Sequence, residues 1–464
     1  MYSLSLILCL SGIPAVLGLN QSHLFDVKQY KNVDIIKRDV AIIGGGATGT
    51  YAAIGLHDMN KTVVVVERDS AMGGHTRSYK IPGTNSALDF GVRAYNDLEV
   101  ARKFFARLDI PVVKTTYVHP KTEYLDLNTG DTVLNQLSLP NFTRYRNELE
   151  KYPYLEYSLD LPEEVPEDLL MPFGDFVEKH SLEDVVYHLY FATQGMGDLL
   201  QQPTFYVFKY FSQQFLDGLR VGVYITERHN NYEIYENAQR ELGGDVLASS
   251  QVIASERPTN GSDMNLVVKT PGGIKLIQAS KLLITIPPVI DNMYPFDLND
   301  NEMSLFQQFQ NTGWYVSLVN NTGLPDGITV QSANAKSPYN LPVLPDVYIL
   351  QPTSTKGVFL VKYGSEVTLP DEFVKRDIRE RVTKLSMTMN NDSREPDVEI
   401  LAYQSHAPFS LSVSPEAIRD GFYRNLTALQ GKRNTWYTGN TWMSPHSAAM
   451  WNFTEALLPR IMED

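Results

Sequence analysis

The segment from Asp39 to Asp69, DVAIIGGGATGTYAAIGLHDMNKTVVVVERD, reads in order as strand, glycine turn, helix, strand and terminal acid. Val40 to Ile43 form a short apolar run suited to a strand buried on both faces. Gly44, Gly46 and Gly49 then supply G-x-G-x-x-G. In such a turn the first glycine permits the tight bend, the second lets backbone N–H groups approach a diphosphate, and the third lets the helix lie against the strand. The helix is predicted from Ala47 to Met59, with Thr62 to Val66 returning as a parallel strand. Glu67 closes that strand at the place where a carboxylate can accept from both ribose hydroxyls of an adenosine. A lone glycine turn could be structural, but strand, helix, strand and acid in register predict a dinucleotide site.

At 464 residues the chain exceeds one compact core, so at least two lobes are expected. A formal net charge of −14 argues against a nucleic-acid or anionic-membrane surface, which would face long-range repulsion. Residues 1–18, MYSLSLILCLSGIPAVLG, have the short apolar core and small-residue exit of a secretory signal peptide, and are too short to span a membrane comfortably. A buried first helix is the competing reading. Sequons at Asn20, Asn141, Asn260, Asn320, Asn391, Asn425 and Asn452 fit a secreted, N-glycosylated product with no membrane attachment once mature; Asn60 adds one inside the nucleotide motif. The one cysteine, Cys9, lies within that leader, so the mature chain would hold no disulfide, cysteine metal site or cysteinyl flavin link.

After Glu67 the chain carries Arg68, then Met72-Gly73-Gly74-His75-Thr76 and Asp89-Phe90-Gly91. A glycine doublet there permits a second backbone approach to a long, extended ligand, and Asp89 could orient a loop or cap a helix. These residues resemble the FAD-binding segment of the flavin-containing amine oxidase and phytoene desaturase superfamily, and within it the secreted fungal flavoenzymes of the β-cyclopiazonate dehydrogenase type. The resemblance implies FAD as cofactor, with Gly44, Gly46, Gly49, Glu67, Arg68, Gly74 and His75 in its site. The wider family usually has Arg at the position of His75, where it helps hold the diphosphate. A histidyl flavin link and a plain backbone hydrogen bond both remain open for His75.

The resemblance also implies an α/β fold: a Rossmann-like two-dinucleotide-binding FAD domain, discontinuous in sequence, with a mixed α+β substrate domain. The expected FAD-binding parts are residues 39–110, 236–290 and 397–464. The expected substrate-domain parts are 111–235, largely helical, and 291–396. In the family the strand residue matching Val252 meets the adenine through its backbone. Aromatics crowd Phe205 to Phe211, readable as core or as a wall over a ring. Lys362 invites comparison with the lysine that orients water near flavin N5 in amine oxidases, against the simpler reading of a surface lysine.

Near the end, Thr435 to Tyr437 read as a strand, Gly439 as a turn and Ser447 as the start of a helix. A helix N-terminus there suits the pyrimidine end of a flavin, because free N–H groups stabilise the charge that reduction creates. Gly439 and Ser447 are therefore candidate cofactor contacts, while Asn440 stands where the superfamily commonly has an acid. Tyr95, Trp442 and His446 are the candidate catalytic residues, and Arg93 a further one, because each follows a flavin-side motif; packing or cofactor contact is the competing role. The expected activity is oxidation of a small-molecule substrate by hydride transfer to flavin N5, with molecular oxygen or another electron acceptor restoring the flavin. A nicotinamide-dependent reductase and a flavin-fold binding protein without turnover are the alternatives.

Overall fold

The computed structural model describes residues 23–463 apart from 85, 117–120, 135–136, 138, 157, 258–261 and 391–393. The proposed leader, and the sequons at Asn20, Asn260 and Asn391, lie outside the described residues.

Two large sheets organise the chain. The first has seven strands and is built from distant pieces. Strand Ile35–Ile43 lies parallel between Val63–Val66 and Gly273–Ile284, and the latter also pairs in parallel with Thr435–Tyr437. Val246–Leu247 continues one edge, while Gln251–Glu256 and Met264–Thr270 form an antiparallel meander at the other. Val63–Val66 is buried at every position, as a run of four valines in a two-faced parallel strand requires. Helix Ala47–Asp58 covers one face and packs against the C-terminal helix Ser447–Met462. Gly49 permits this crossover to sit tightly, since a Cβ there would lie 1.9 Å from the Gly44 carbonyl oxygen. Trp451, wholly buried, stacks on Tyr95 and donates its indole N–H to the Ala47 carbonyl at 3.0 Å. One aromatic thus ties the last helix to the first turn of the nucleotide helix.

The second sheet has eight strands and runs around Gln310–Asn320, Phe359–Ser365 and Asp346–Pro352. Thr122–Leu125 and Thr132–Leu134 join it from the mainly helical segment. Strands Glu399–Ser405 and Phe409–Ser412 also pair with Gln310–Asn320. This differs from the boundary expected at residue 397: the chain stays in the second sheet through Ser412 and returns to the first only at Thr435. Helix Asp371–Asn390 packs on this sheet through Val374, Ile378, Val382 and Leu385. Helix Thr204–Tyr210 is mostly core, with Phe205, Tyr206, Val207 and Phe208 buried, and Tyr206 accepting the Val413 N–H at 2.7 Å.

Candidate active site

A cleft opens above the carboxyl ends of the parallel strands, where ligands of open α/β sheets bind. Gly46 and Gly74 face each other there, so close that a Cβ on Gly74 would fall 2.8 Å from the Gly46 Cα. No side chain caps helix Ala47–Asp58, which leaves its first N–H groups for a ligand. Glu67 is buried at the strand end and held in place: its carboxylate accepts the Gly45 N–H at 2.6 Å and the Asp69 N–H at 2.7 Å. Thr285 bonds the carbonyls of Ile43 and Gly44, fixing the turn from the neighbouring strand.

A single cavity is lined by Gly44, Gly46, Glu67, Arg68, Gly74, His75, Val252, Gly439 and Ser447. Residues more than 350 positions apart in sequence therefore meet around one space. Arg68 is at its rim, with a largely exposed side chain near Asp69. Gly49 does not line it and serves packing instead. Helix Ser447–Met462 presents a second N-terminus without a side-chain cap at the far end.

Two candidate catalytic residues fall elsewhere. Tyr95 is 2% exposed and sits among Phe105 and Trp451, lining neither this cavity nor the one beyond it. Trp442 is likewise buried, stacked on Tyr437 with ring centroids 5.1 Å apart. Their place after flavin-side motifs reflects the core that supports those motifs. His446 does face a cavity: its Nε2–H donates to the Tyr210 carbonyl at 2.8 Å, which leaves Nδ1 as the acceptor, and burial lowers its pKa.

His406 was not foreseen, having no motif around it beyond the following Ala407-Pro408. Its ring meets His75 edge-on at 4.3 Å in the cleft wall. Burial lowers the pKa of both, His75 to about 4, so both are neutral at pH 7. His406 Nδ1, Thr441 Oγ1 and Ser444 Oγ are buried polar atoms without a protein partner, all on segments that line the cleft. Such orphans are costly unless a ligand or water satisfies them.

A second, larger cavity of about 1100 Å³ adjoins the first. Chain neighbours alternate between them: Val92, Pro445 and Ser447 line the first, while Gly91, Arg93 and His446 line the second. Lys362 lies in the second cavity, so the surface reading of this lysine is corrected. Its Nζ donates to Gln194 Oε1 at 2.7 Å, and burial lowers its pKa to about 7. Lys209 was also missed: it is 6% exposed, its Nζ donates to the Asn440 carbonyl at 3.0 Å, and burial brings it to about 7. Asp89 orients a loop, accepting the Asn231 N–H at 2.9 Å.

A bipartite cleft with two uncapped helix N-termini, a buried acid at the end of the second strand and unsatisfied polar atoms fits FAD, the cofactor of a large class of oxidoreductases. Comparison with known proteins agrees. Residues 42–108 match the NAD(P)-binding Rossmann-like domain family. Over 455 residues the chain is 38% identical to the FAD-dependent oxidoreductase pigF of Monascus ruber, covering 97% of each. It is 35% identical to the β-cyclopiazonate dehydrogenase of Aspergillus oryzae, covering 92% of this chain and 94% of that one. The chain belongs to this family of FAD-dependent oxidoreductases. Its fold is shared with a fatty acid isomerase from P. acnes, at a TM-score of 0.71 and 18% identity, covering 92% of this chain and 99% of that one. Putrescine oxidase shares it at a TM-score of 0.63 and 14% identity, again over 92% of this chain and 99% of the other.

Proposed function

We infer that the protein dehydrogenates a bulky small-molecule metabolite, with the hydride leaving to flavin N5 and a proton leaving to His446. The alternation of Gly91, Val92 and Arg93, and of Pro445, His446 and Ser447, between two cavities carries this reading, because a substrate in the second would lie beside the part of the cleft where the ring of FAD would sit. FAD when bound accepts two electrons and passes them to molecular oxygen or another acceptor. The chain's part is positioning and exclusion of water. The uncapped helix N-termini at Gly46 and Ser447 would hold the diphosphate and the electron-rich pyrimidine edge. Glu67, already oriented by two backbone N–H groups, keeps lone pairs for the ribose. Neutral His446, its Nε2–H engaged, keeps Nδ1 as its basic nitrogen and lines the second cavity, which suits it to take the proton. The dehydrogenase relative supports oxidation of a metabolite with loss of two hydrogens.

The purified protein should be yellow, release its chromophore on denaturation and be bleached anaerobically by its substrate. A colourless protein would remove the FAD reading. Colour kept after denaturation would instead support a covalent histidyl bond, and a yellow protein that no metabolite bleaches would favour binding without turnover.

The same reading includes secretion. Asn141, Asn425 and Asn452 are exposed, Asn320 is partly buried, and no helix among the described residues is long and apolar enough to cross a membrane. Expression in a eukaryotic host should place the protein in the medium, with a mass that falls on treatment with an N-glycosidase. Retention in the cytosol at the unglycosylated mass would sink this part.

A further inference from the structure

Lys209 is a buried cation with no partner of opposite charge among the described residues. It rises from helix Thr204–Tyr210 and is 6% exposed; its Nζ donates to the Asn440 carbonyl at 3.0 Å and to the Thr441 carbonyl at 3.5 Å. Both acceptors are neutral, and an ammonium carries a third N–H. The side chain borders a cavity of about 20 Å³, room for one water. Phe409, Asn440 and Pro445 line both that small cavity and the cofactor cleft, so a single layer of residues separates the ammonium from the cleft.

The groups around it are uncharged at pH 7. Tyr206 and Tyr210 share the small cavity, Tyr423 donates to Tyr206, and His446 donates to the Tyr210 carbonyl. Burial raises the pKa of the three tyrosines and lowers that of His446. The acids of the segments packed on this helix are turned elsewhere: Glu156 to the Gln213 and Gln214 N–H groups, Glu167 to Arg419, and Asp168 to Lys179 and His180. Asp175 and Glu178 are exposed. Burial alone therefore acts on the amine and lowers its pKa to about 7. An ammonium pressed toward neutrality in this way is restored when negative charge forms nearby.

Helix Ser447–Met462, which begins without a side-chain cap shortly after Asn440, brings positive potential to the same end of the cleft. Resting on the flavoenzyme reading above, we propose that Lys209 is a positioning residue that sets the reduction potential of the flavin: acting through the Asn440 segment, its amino group favours the reduced, anionic ring and takes up a proton from solvent as that anion forms. Two electrons and one proton reach the flavin as hydride from the substrate, whose other proton goes to His446, and one proton from water goes to the Lys209 amine. Reoxidation by the electron acceptor returns that last proton to solvent.

The test is the midpoint potential of the FAD-loaded protein against reference dyes, from about pH 6 to about pH 9, in wild type and in Lys209→Gln, which keeps a hydrogen-bond donor and loses the charge. Each proton taken up shifts the two-electron equilibrium tenfold per pH unit, about 30 mV. At about pH 6 the wild-type potential should lie above that of Lys209→Gln by at least about tenfold in the equilibrium, or about 30 mV. Above about pH 7 it should fall more steeply, by one further proton, until the two curves converge. Lys362 also titrates near pH 7 but is present in both proteins, so the difference belongs to Lys209. Parallel or coincident curves would overturn the proposal, because a lysine that only braces the Asn440 turn would change FAD retention and leave the slope alone. Should Lys209→Gln fail to hold FAD, Lys209→Met takes its place. If neither holds it, the wild-type curve decides, steepening above about pH 7 supporting the proposal and a single slope overturning it. A colourless wild-type protein would instead strike the reading beneath.

Discussion

The wild-type protein is expected to gain thermal stability between about pH 7 and pH 10.5, and Lys209→Met to reduce that rise. The Lys209 ammonium is buried without a carboxylate, and burial brings its pKa from 10.5 to about 7. Within that window the unfolded chain binds one more proton than the folded one, so stability rises with pH at up to about 1.4 kcal/mol per unit. Below the folded pKa both states are protonated and the full cost, roughly 5 kcal/mol, is present. Lys362 acts in the same direction, so the slope should fall by part rather than vanish. The buried tyrosines act in the opposite sense, and only above about pH 10. The lysine also holds the Asn440 carbonyl beside Gly439, so its removal should weaken FAD retention about tenfold. Thermal scans across pH on both proteins, with flavin fluorescence as second signal, check this; parallel stability curves would refute it.

A larger loss is expected from Arg257→Met. The Arg257 side chain is fully buried, grips Glu302 with two nitrogens at 2.8 and 2.9 Å, bonds Asp297 at 3.0 Å and reaches Thr435 at 3.3 Å. Burial works against its charge, and these partners outweigh it, raising its pKa beyond the ordinary range. Glu302 also accepts the Tyr437 hydroxyl at 2.9 Å, so the cluster clamps strand Thr435–Tyr437, which carries the Gly439 turn. Removing one partner of a buried pair leaves the other uncompensated, at a cost of about 3–5 kcal/mol. Arg433 remains near Glu302 and places the expected value at the lower end. Urea denaturation should show a lower midpoint with early loss of flavin, and Arg257→Met with Glu302→Gln should recover part of it. An unchanged midpoint in the single variant would show that the cluster contributes little.

The nucleotide motif was legible because its residues dictate their own backbone. Val63 to Val66 can only be a buried strand, Gly49 has no room for a side chain, and Glu67 follows at strand end. The segment from Thr435 to Ser447 was legible for a similar reason, with strand, turn and helix start each signalled locally. Residues whose role depends on distant partners were not. Glu399–Ser405 is of intermediate burial except at its first residue, and its place in the second sheet follows from pairing with Gln310–Asn320 some eighty positions earlier. Lys209 and Lys362 look like surface residues until a folded interior closes over them. Tyr95 showed the opposite error, since proximity in sequence to a site said nothing about which way its ring turns. His406 carried almost no signal, its importance arising from His75, more than three hundred residues away.

The central strand Ile35–Ile43 waits for Gly273–Ile284, and that strand for Thr435–Tyr437. A nascent chain emerging from the ribosome therefore has no completed pocket until Thr435–Tyr437 and the helix after it are made. Cofactor loading must wait for that late segment, and a product ending just before Thr435 should stay colourless.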